Sequence, residues 1–197
     1  MARRLLGLQK KPVTPMSEPK PLLAPVQPPV TAARIYRNGG LTSDNWRRLD
    51  AAAEIPIDGR AILPLARWRA EQATLPKGVS FGVLVQPGDT LDAATDDLDA
   101  LALIALAFPK FSDGRAYSTA RRLRDQFGYT SEIRATGDVL LDQLPLMLRA
   151  GFDSFEIIHA ATIAALERGT IPAVSRVYQS ATEIAPAHWL SRRNVRG

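Results

Sequence analysis

Residues 101–137, LALIALAFPKFSDGRAYSTARRLRDQFGYTSEIRATG, decide the fold. The apolar run 101–108 could be a strand or a buried helix by periodicity alone. Pro109 behind it, and a helical pattern ahead of it, favour a strand over about 102–108. Ser112 or Asp113 can cap a helix that runs to Phe127, and Gly128 closes it. Residues 131–135 then read as a second strand. Alternation puts Ile133 and Ala135 on one side, Glu132 and Arg134 on the other.

The same rhythm extends in both directions. Upstream, 79–85 is a buried strand ended by Gln86-Pro87-Gly88-Asp89, and 90–100 carries Leu91, Ala94 and Leu98 at helical spacing. Downstream, Asp138 caps a helix with Leu140, Leu141, Leu144 and Leu148 that stops at Gly151. A strand over 154–158 and a helix over 160–168, closed by Gly169, complete the series. The class is α/β: repeated βα units imply a parallel sheet with right-handed crossovers. Four such units are half of a (β/α)8 barrel, and the chain is too short for a whole one of about 250 residues. A partial (β/α) barrel or an open α/β sheet is expected.

Residues 31–76 read as a small N-terminal element. It has a short strand at 34–37, turn chemistry at Asn38-Gly39-Gly40, a strand at 61–63, and a helix from Pro64 to about Gln72. The α/β domain is placed at 77–185, between a Pro-rich basic tail at 1–30 and a basic tail at 186–197. Seven of the fifteen prolines fall within 1–30, which leaves no room for a helix or a central strand. That tail is expected to be disordered or polyproline II, serving as a solubilising extension or as a tether for an acidic partner.

The chain has 197 residues and a formal charge of +5, which first suggests nucleic acid. The distribution argues otherwise. Residues 1–30 carry Arg3, Arg4, Lys10, Lys11 and Lys20 against Glu18, and 186–197 carry Arg192, Arg193 and Arg196 with no acid. The body between them holds 17 basic and 19 acidic residues, a net of −2. A nucleic-acid domain concentrates its positive charge on a folded face. No nucleic-acid partner is expected, nor a membrane, since no apolar run approaches a span. Leu5-Leu6-Gly7-Leu8 is too short for the apolar region of a signal peptide, so a cytoplasmic protein is expected. The absence of cysteine excludes disulfides, thiolate zinc sites, Cys-ligated iron–sulfur clusters and a cysteine nucleophile. With His159 and His188 the only histidines, no metal site is expected.

In parallel α/β folds ligands bind beyond the carboxyl ends of the strands. That rim would gather Asp89, Lys110, Asp113, Arg115, Arg134, Asp138, Glu156 and His159. The loop Phe108-Pro109-Lys110-Phe111-Ser112-Asp113-Gly114-Arg115 leads into a helix whose first amides carry partial positive charge. Arg115, Ser118 and Arg122 lie at i, i+3 and i+7 on that helix, and together these groups could cradle an oxyanion or phosphate. Alternatively Asp113 caps the helix and Arg115 pairs with a loop carboxylate. Arg134 needs a partner near a strand end, with Asp138 or Asp113 the candidates. Nucleotide fingerprints are absent, and Ser118 has no sequence-readable histidine base for a catalytic triad. His159 reads as a surface or capping residue. Trp46, Trp68 and Trp189 read as packing anchors, with Trp189 alternatively docking onto a partner.

The blocks Leu103-Ile104-Ala105-Leu106-Ala107-Phe108-Pro109, Asp113-Gly114-Arg115-Ala116-Tyr117-Ser118, Glu132-Ile133-Arg134-Ala135, Gly137-Asp138-Val139-Leu140 and Gly151-Phe152-Asp153-Ser154-Phe155-Glu156 occur in this order. They resemble the proteobacterial domain-of-unknown-function family numbered 934, with weaker similarity over about 34–180. That family is described as an oxidoreductase or accessory protein of assimilatory sulfite reduction. The resemblance implies a role in sulfur assimilation, with sulfite reductase or its electron donor as partner, and it carries over no catalytic residues. Two expectations follow. One is an accessory protein acting with sulfite reductase. The other is an oxidoreductase of sulfite reduction whose rim binds an oxyanion or a phosphorylated cofactor such as a flavin; the cofactor is otherwise unknown.

Overall fold

A computed structural model of the chain describes residues 30–92 and 96–170, with side-chain detail from residue 33. The expectations for the two tails, for the similarity beyond residue 170 and for Trp189 lie outside the described residues. Eight strands form one sheet: β1 (Val30–Arg37), β2 (Gly40–Thr42), β3 (Arg47–Arg48), β4 (Gly59–Pro64), β5 (Val79–Val85), β6 (Leu103–Phe108), β7 (Glu132–Gly137) and β8 (Ser154–His159). Four helices accompany them among the described residues: α1 (Leu65–Glu71), α2 (Arg115–Asp125), α3 (Leu144–Arg149) and α4 (Ala160–Glu167). The strand order is β2-β1-β8-β7-β6-β5-β4-β3. From β3 to β8 every neighbour is parallel, and β1 joins β8 antiparallel. The small element of residues 31–76 thus adds four strands to the same sheet as the βα units. Its hairpin turns at Asn38 and Gly39, both with positive φ (51° and 82°), as a type I′ turn demands.

The sheet curls into a half-barrel. A covalent constraint demands it. The edge strands β2 and β3 are joined only by residues 43–46. A flat eight-stranded sheet would hold its edges on the order of 34 Å apart. The five residue steps from Thr42 to Arg47 reach at most about 18 Å. Arg48 on β3 accordingly touches β7 and β8, four and five places away in the strand order.

The two faces of the sheet differ. Ala61, Leu63, Val83, Val85, Ile104, Leu106, Phe108, Ile133, Ala135, Phe155 and Ile157 alternate along their strands onto one face and form the main core. Against them pack Trp68 of α1, Leu123 of α2, Met147 of α3 and Ile163 of α4. Strands taken in consecutive order with right-handed crossovers place their helices on a single side, the convex one here. Trp46, Ile62, Leu103 and Ala105 form a separate apolar cluster on the concave face.

One expected helix departs from its prediction. Within 90–100 the described residues form only a 3-10 turn at Leu98–Ala100. Leu91 and Leu98 are buried as the helical spacing required. Asp96, however, is fully buried and is gripped by Arg69, whose Nε and Nη2 donate to its two carboxylate oxygens at 2.5 and 2.7 Å. Trp68 donates its indole N–H to the Asp96 carbonyl at 3.1 Å, and Asp97 turns left-handed at φ 41°. These long-range bonds override helix propensity.

Candidate functional site

The carboxyl ends of β5 to β8 carry the loops expected to hold a ligand. In the first, Gly88 takes φ 111° and the Asp89 carboxylate accepts the Gln86 N–H at 2.8 Å, closing a tight turn. In the next, Asp113 accepts the Arg115 backbone N–H at 3.1 Å. The chain's own carboxylate therefore satisfies the first amide of α2, the position at which an exogenous oxyanion was expected. The Arg115 side chain pairs with the same carboxylate through two bonds of 3.0 and 2.7 Å. That guanidinium draws the Asp113 carboxyl down to about 2.

Between the 86–91 loop and α2 lies a cleft of about 250 Å³, lined by Gln86, Asp89, Thr90, Arg115, Thr119 and Arg122 over an apolar floor that includes Val85, Leu106, Leu123 and Phe127. It opens on the convex side, in the layer where a β5–β6 crossover helix would otherwise pack. Arg122 lies over the Phe127 ring at 4.8 Å and has no carboxylate partner among the described residues. Of the predicted residues, the structure brings Arg115 and Arg122 together with Asp89 here, and Asp113 joins through Arg115. Ser118 is exposed and does not line the cleft, because α2 presents i, i+4 and i+7 to it instead of i+3. Lys110 is exposed in the β6–α2 loop, outside the cleft; its carbonyl accepts the Asp113 N–H at 3.0 Å.

Asp138 stands farther along the rim. One oxygen meets His159 Nε2 at 2.8 Å and the other accepts the Phe111 N–H at 2.9 Å. Gly137 makes this approach feasible. Its φ is 100°, and a Cβ there would collide with the Phe108 carbonyl that accepts the Asp138 N–H at 2.8 Å.

Prediction and structure part at Glu156, which lies within β8 and pairs with Arg48 instead of joining a rim loop, and above all at Arg134. It belongs to no rim loop and pairs with neither Asp138 nor Asp113. It is the third residue of β7, on the concave face, and is 3% exposed. Its Nε and Nη2 donate to Glu132 at 3.2 and 2.9 Å, and its Nη1 donates to Asp44 at 2.9 Å. Alternation gave its face correctly, but the strand runs two residues further than the expected end at Ala135, which moves Arg134 from the rim to mid-strand.

Around it lies a charged interior that local sequence reasoning largely missed. Glu132 accepts Arg37 at 3.0 Å and the Ser154 hydroxyl at 2.6 Å besides Arg134. Arg48 donates to Glu156 at 2.7 Å and to the Thr136 hydroxyl at 3.0 Å, and Thr136 donates in turn to Glu156. The only sequence signal was the polar alternation Glu132, Arg134, Thr136 inside a central strand. On the other side of the same strand, Arg124 is buried and donates to the carbonyls of Gly151, Tyr129 and Ser131 and to Asp153. Burial pushes the Asp153 carboxyl above its usual range, partly offset by Arg124. Among the described residues no helix is long and apolar enough to cross a membrane.

No curated protein matches the chain. The model of a family described as "Bacterial protein of unknown function (DUF934)" matches residues 82–189. That span runs from β5 past the end of α4, taking in the rim, while β1 to β4 lie ahead of it. Because it covers more than half of the chain, the protein belongs to the bacterial family of unknown function DUF934.

Proposed function

We propose that this protein is an accessory component of assimilatory sulfite reduction, acting with sulfite reductase or its electron donor, and that the carboxyl-end rim is its working surface. One observation carries the reading. The most specific blocks of the resemblance, 113–118 and 137–140, both lie on this rim, and Phe111 in the loop just ahead of the first ties it to the second. The Asp138 carboxylate accepts the Phe111 N–H at 2.9 Å, and Gln143 donates to the Phe111 carbonyl at 2.6 Å. Sequence far apart along the chain is thus spent on one surface, as a docking or binding surface requires. A clean deletion grown on sulfate, sulfite or sulfide as sole sulfur source tests the role: growth is expected on sulfide alone, and normal growth on sulfite rejects it. Tagged protein from sulfate-grown cells is expected to retain sulfite reductase or its donor.

The second reading, an oxidoreductase of the same step, is favoured by the cleft beside α2. The Arg122 guanidinium, without a carboxylate partner among the described residues, lies there over an apolar floor, a setting that strengthens binding of a small oxyanion, while Arg115 beside it is paired with Asp113. At about 250 Å³ the cleft is below the roughly 300 Å³ at which pockets for drug-sized ligands begin, so these residues fit an oxyanion better than a flavin. Arg115→Ala and Arg122→Ala are expected to abolish complementation with unchanged circular dichroism. Wild-type growth of both variants sinks this reading.

A further inference from the structure

The half-barrel has a second cavity, at the end where β4, β5 and β7 begin. It is an open depression of about 330 Å³ bordered by Arg37, Trp46, Arg60, Ser80, Ser131 and Glu132. Arg60 and Ser80 are register partners at the second positions of β4 and β5, and Glu132 opens β7. The antiparallel partner β1 brings Arg37 to the same end, opposite Ser154 at the start of β8.

The charges here do not balance. Glu132 is already engaged by Arg37, Arg134 and Ser154, and Arg134 is also held by Asp44. Counting Arg37, Arg60 and Arg134 against Glu132 and Asp44 leaves one positive charge in excess. It falls on Arg60. That guanidinium has no carboxylate or other acceptor among the described residues, and it lies over the Trp46 ring at 5.7 Å. Stacking uses the face of a guanidinium and leaves the N–H groups on its edge free to donate.

We propose that this mouth binds a small ligand through an oxyanion group, carboxylate or phosphate, held by Arg60 with Arg37 beside it. The ligand supplies the missing negative charge. A cavity near the lower end of small-molecule pockets suits a metabolite-sized anion. This site lies on the concave face and the cleft beside α2 opens on the convex side, so the sheet itself stands between them.

The full chain titrated with sodium phosphate, and separately with sodium acetate, at ionic strength held constant with chloride, tests the proposal. The readout is the indole N–H cross-peak of Trp46, assigned with Trp46→Phe. A saturable shift with at least one anion is expected. Arg60 is exposed, so Arg60→Ala should fold as the parent does and bind about tenfold more weakly or worse, the loss of a charge-assisted contact. No saturable shift with either anion overturns the proposal, as does equal affinity in Arg60→Ala. A shift that survives Arg60→Ala but vanishes in Arg122→Ala places the anion at the rim and also overturns it, leaving the rim reading intact.

Discussion

Replacing Arg134 by methionine should destabilise the protein by about 3–4 kcal/mol, the low end for breaking one partner out of a buried ion pair. Methionine keeps most of the volume, so little of the loss is cavity. The cost arises because Glu132, with a side chain 7% exposed, loses two donors at 2.9 and 3.2 Å. Arg37 at 3.0 Å and the Ser154 hydroxyl at 2.6 Å remain on the carboxylate, which keeps the figure from the top of the range. Asp44 is 28% exposed and can fall back on water, so it adds less than about 1 kcal/mol. Urea unfolding at pH 7, followed by far-ultraviolet circular dichroism, measures the loss as a lower midpoint at unchanged slope. Raising the salt should barely alter it, since a buried pair is poorly screened. The companion variant Arg134→Met/Glu132→Leu should recover stability relative to the sum of the two single changes, by about 1 kcal/mol or more, because the uncompensated charge is gone. A single variant that loses under about 1 kcal/mol refutes the reasoning, and so does a double variant that falls as far as the two singles added together.

Three further outcomes can be checked on the same material. Arg124→Lys should cost about 2–4 kcal/mol by urea titration, because a single ammonium cannot reach three carbonyls and Asp153 together. Gly137→Ala should cost about 1–3 kcal/mol or more, from its positive φ together with the collision at Phe108; a neutral effect in thermal unfolding would contradict the rim geometry. Hydrogen bonding from Arg69 holds the Asp96 carboxyl below its ordinary range. The unfolded chain therefore takes up the proton first. Stability from this pair is present above about pH 4 and is lost as pH falls through the lower folded value. Asp96→Asn should be less stable at pH 7 yet lose less on moving to pH 3, and an unchanged acid dependence would count against the pair.

The parts of the fold that were legible in the sequence are those set by neighbours in the chain. Residues 79–85 are all apolar or small except Ser80, and they form β5. Gly128, Gly151 and Gly169 each follow a helix at positive φ (64°, 102° and 72°), where a glycine stop was read. Long-range contacts account for what was not legible. β2 and β3 have three and two residues, too few to show a period, and they exist because β1 and β4 pair with them. The interior was hidden for the same reason: Arg37 and Glu132 are 95 residues apart, and Arg48 and Glu156 are 108 apart. At the rim, helical spacing predicted a shared face for Arg115 and Arg122, and both line the cleft beside α2, because that spacing is local. It put Arg134 in the wrong place because a two-residue error at a strand end moves a side chain from loop to interior.

The charged interior also explains how a half-barrel can hold its shape without a second half. Apolar packing alone is non-directional, and Ile62, Leu103 and Ala105 on the concave face would tolerate several curvatures. Arg48 joins the β3 edge to β7 and β8, and Asp44, four residues before it, grips Arg134. The residue 43–46 connection is thus tied through Asp44 to the mid-strand cluster, and β3 just beyond it is tied through Arg48 to Thr136 and Glu156. Ion pairs with fixed partners select one curvature where oily contacts would permit many, at a desolvation cost that Glu132, Arg134 and Glu156 offset by sharing bonds. These donors and acceptors are committed to the fold. The guanidiniums left without a carboxylate partner among the described residues lining the two cavities, Arg122 beside the rim and Arg60 at the opposite mouth, are accordingly the groups with charge to offer a ligand. Because the sheet lies between them, with one on its convex side and the other on its concave side, a ligand at one end should neither displace nor require a ligand at the other.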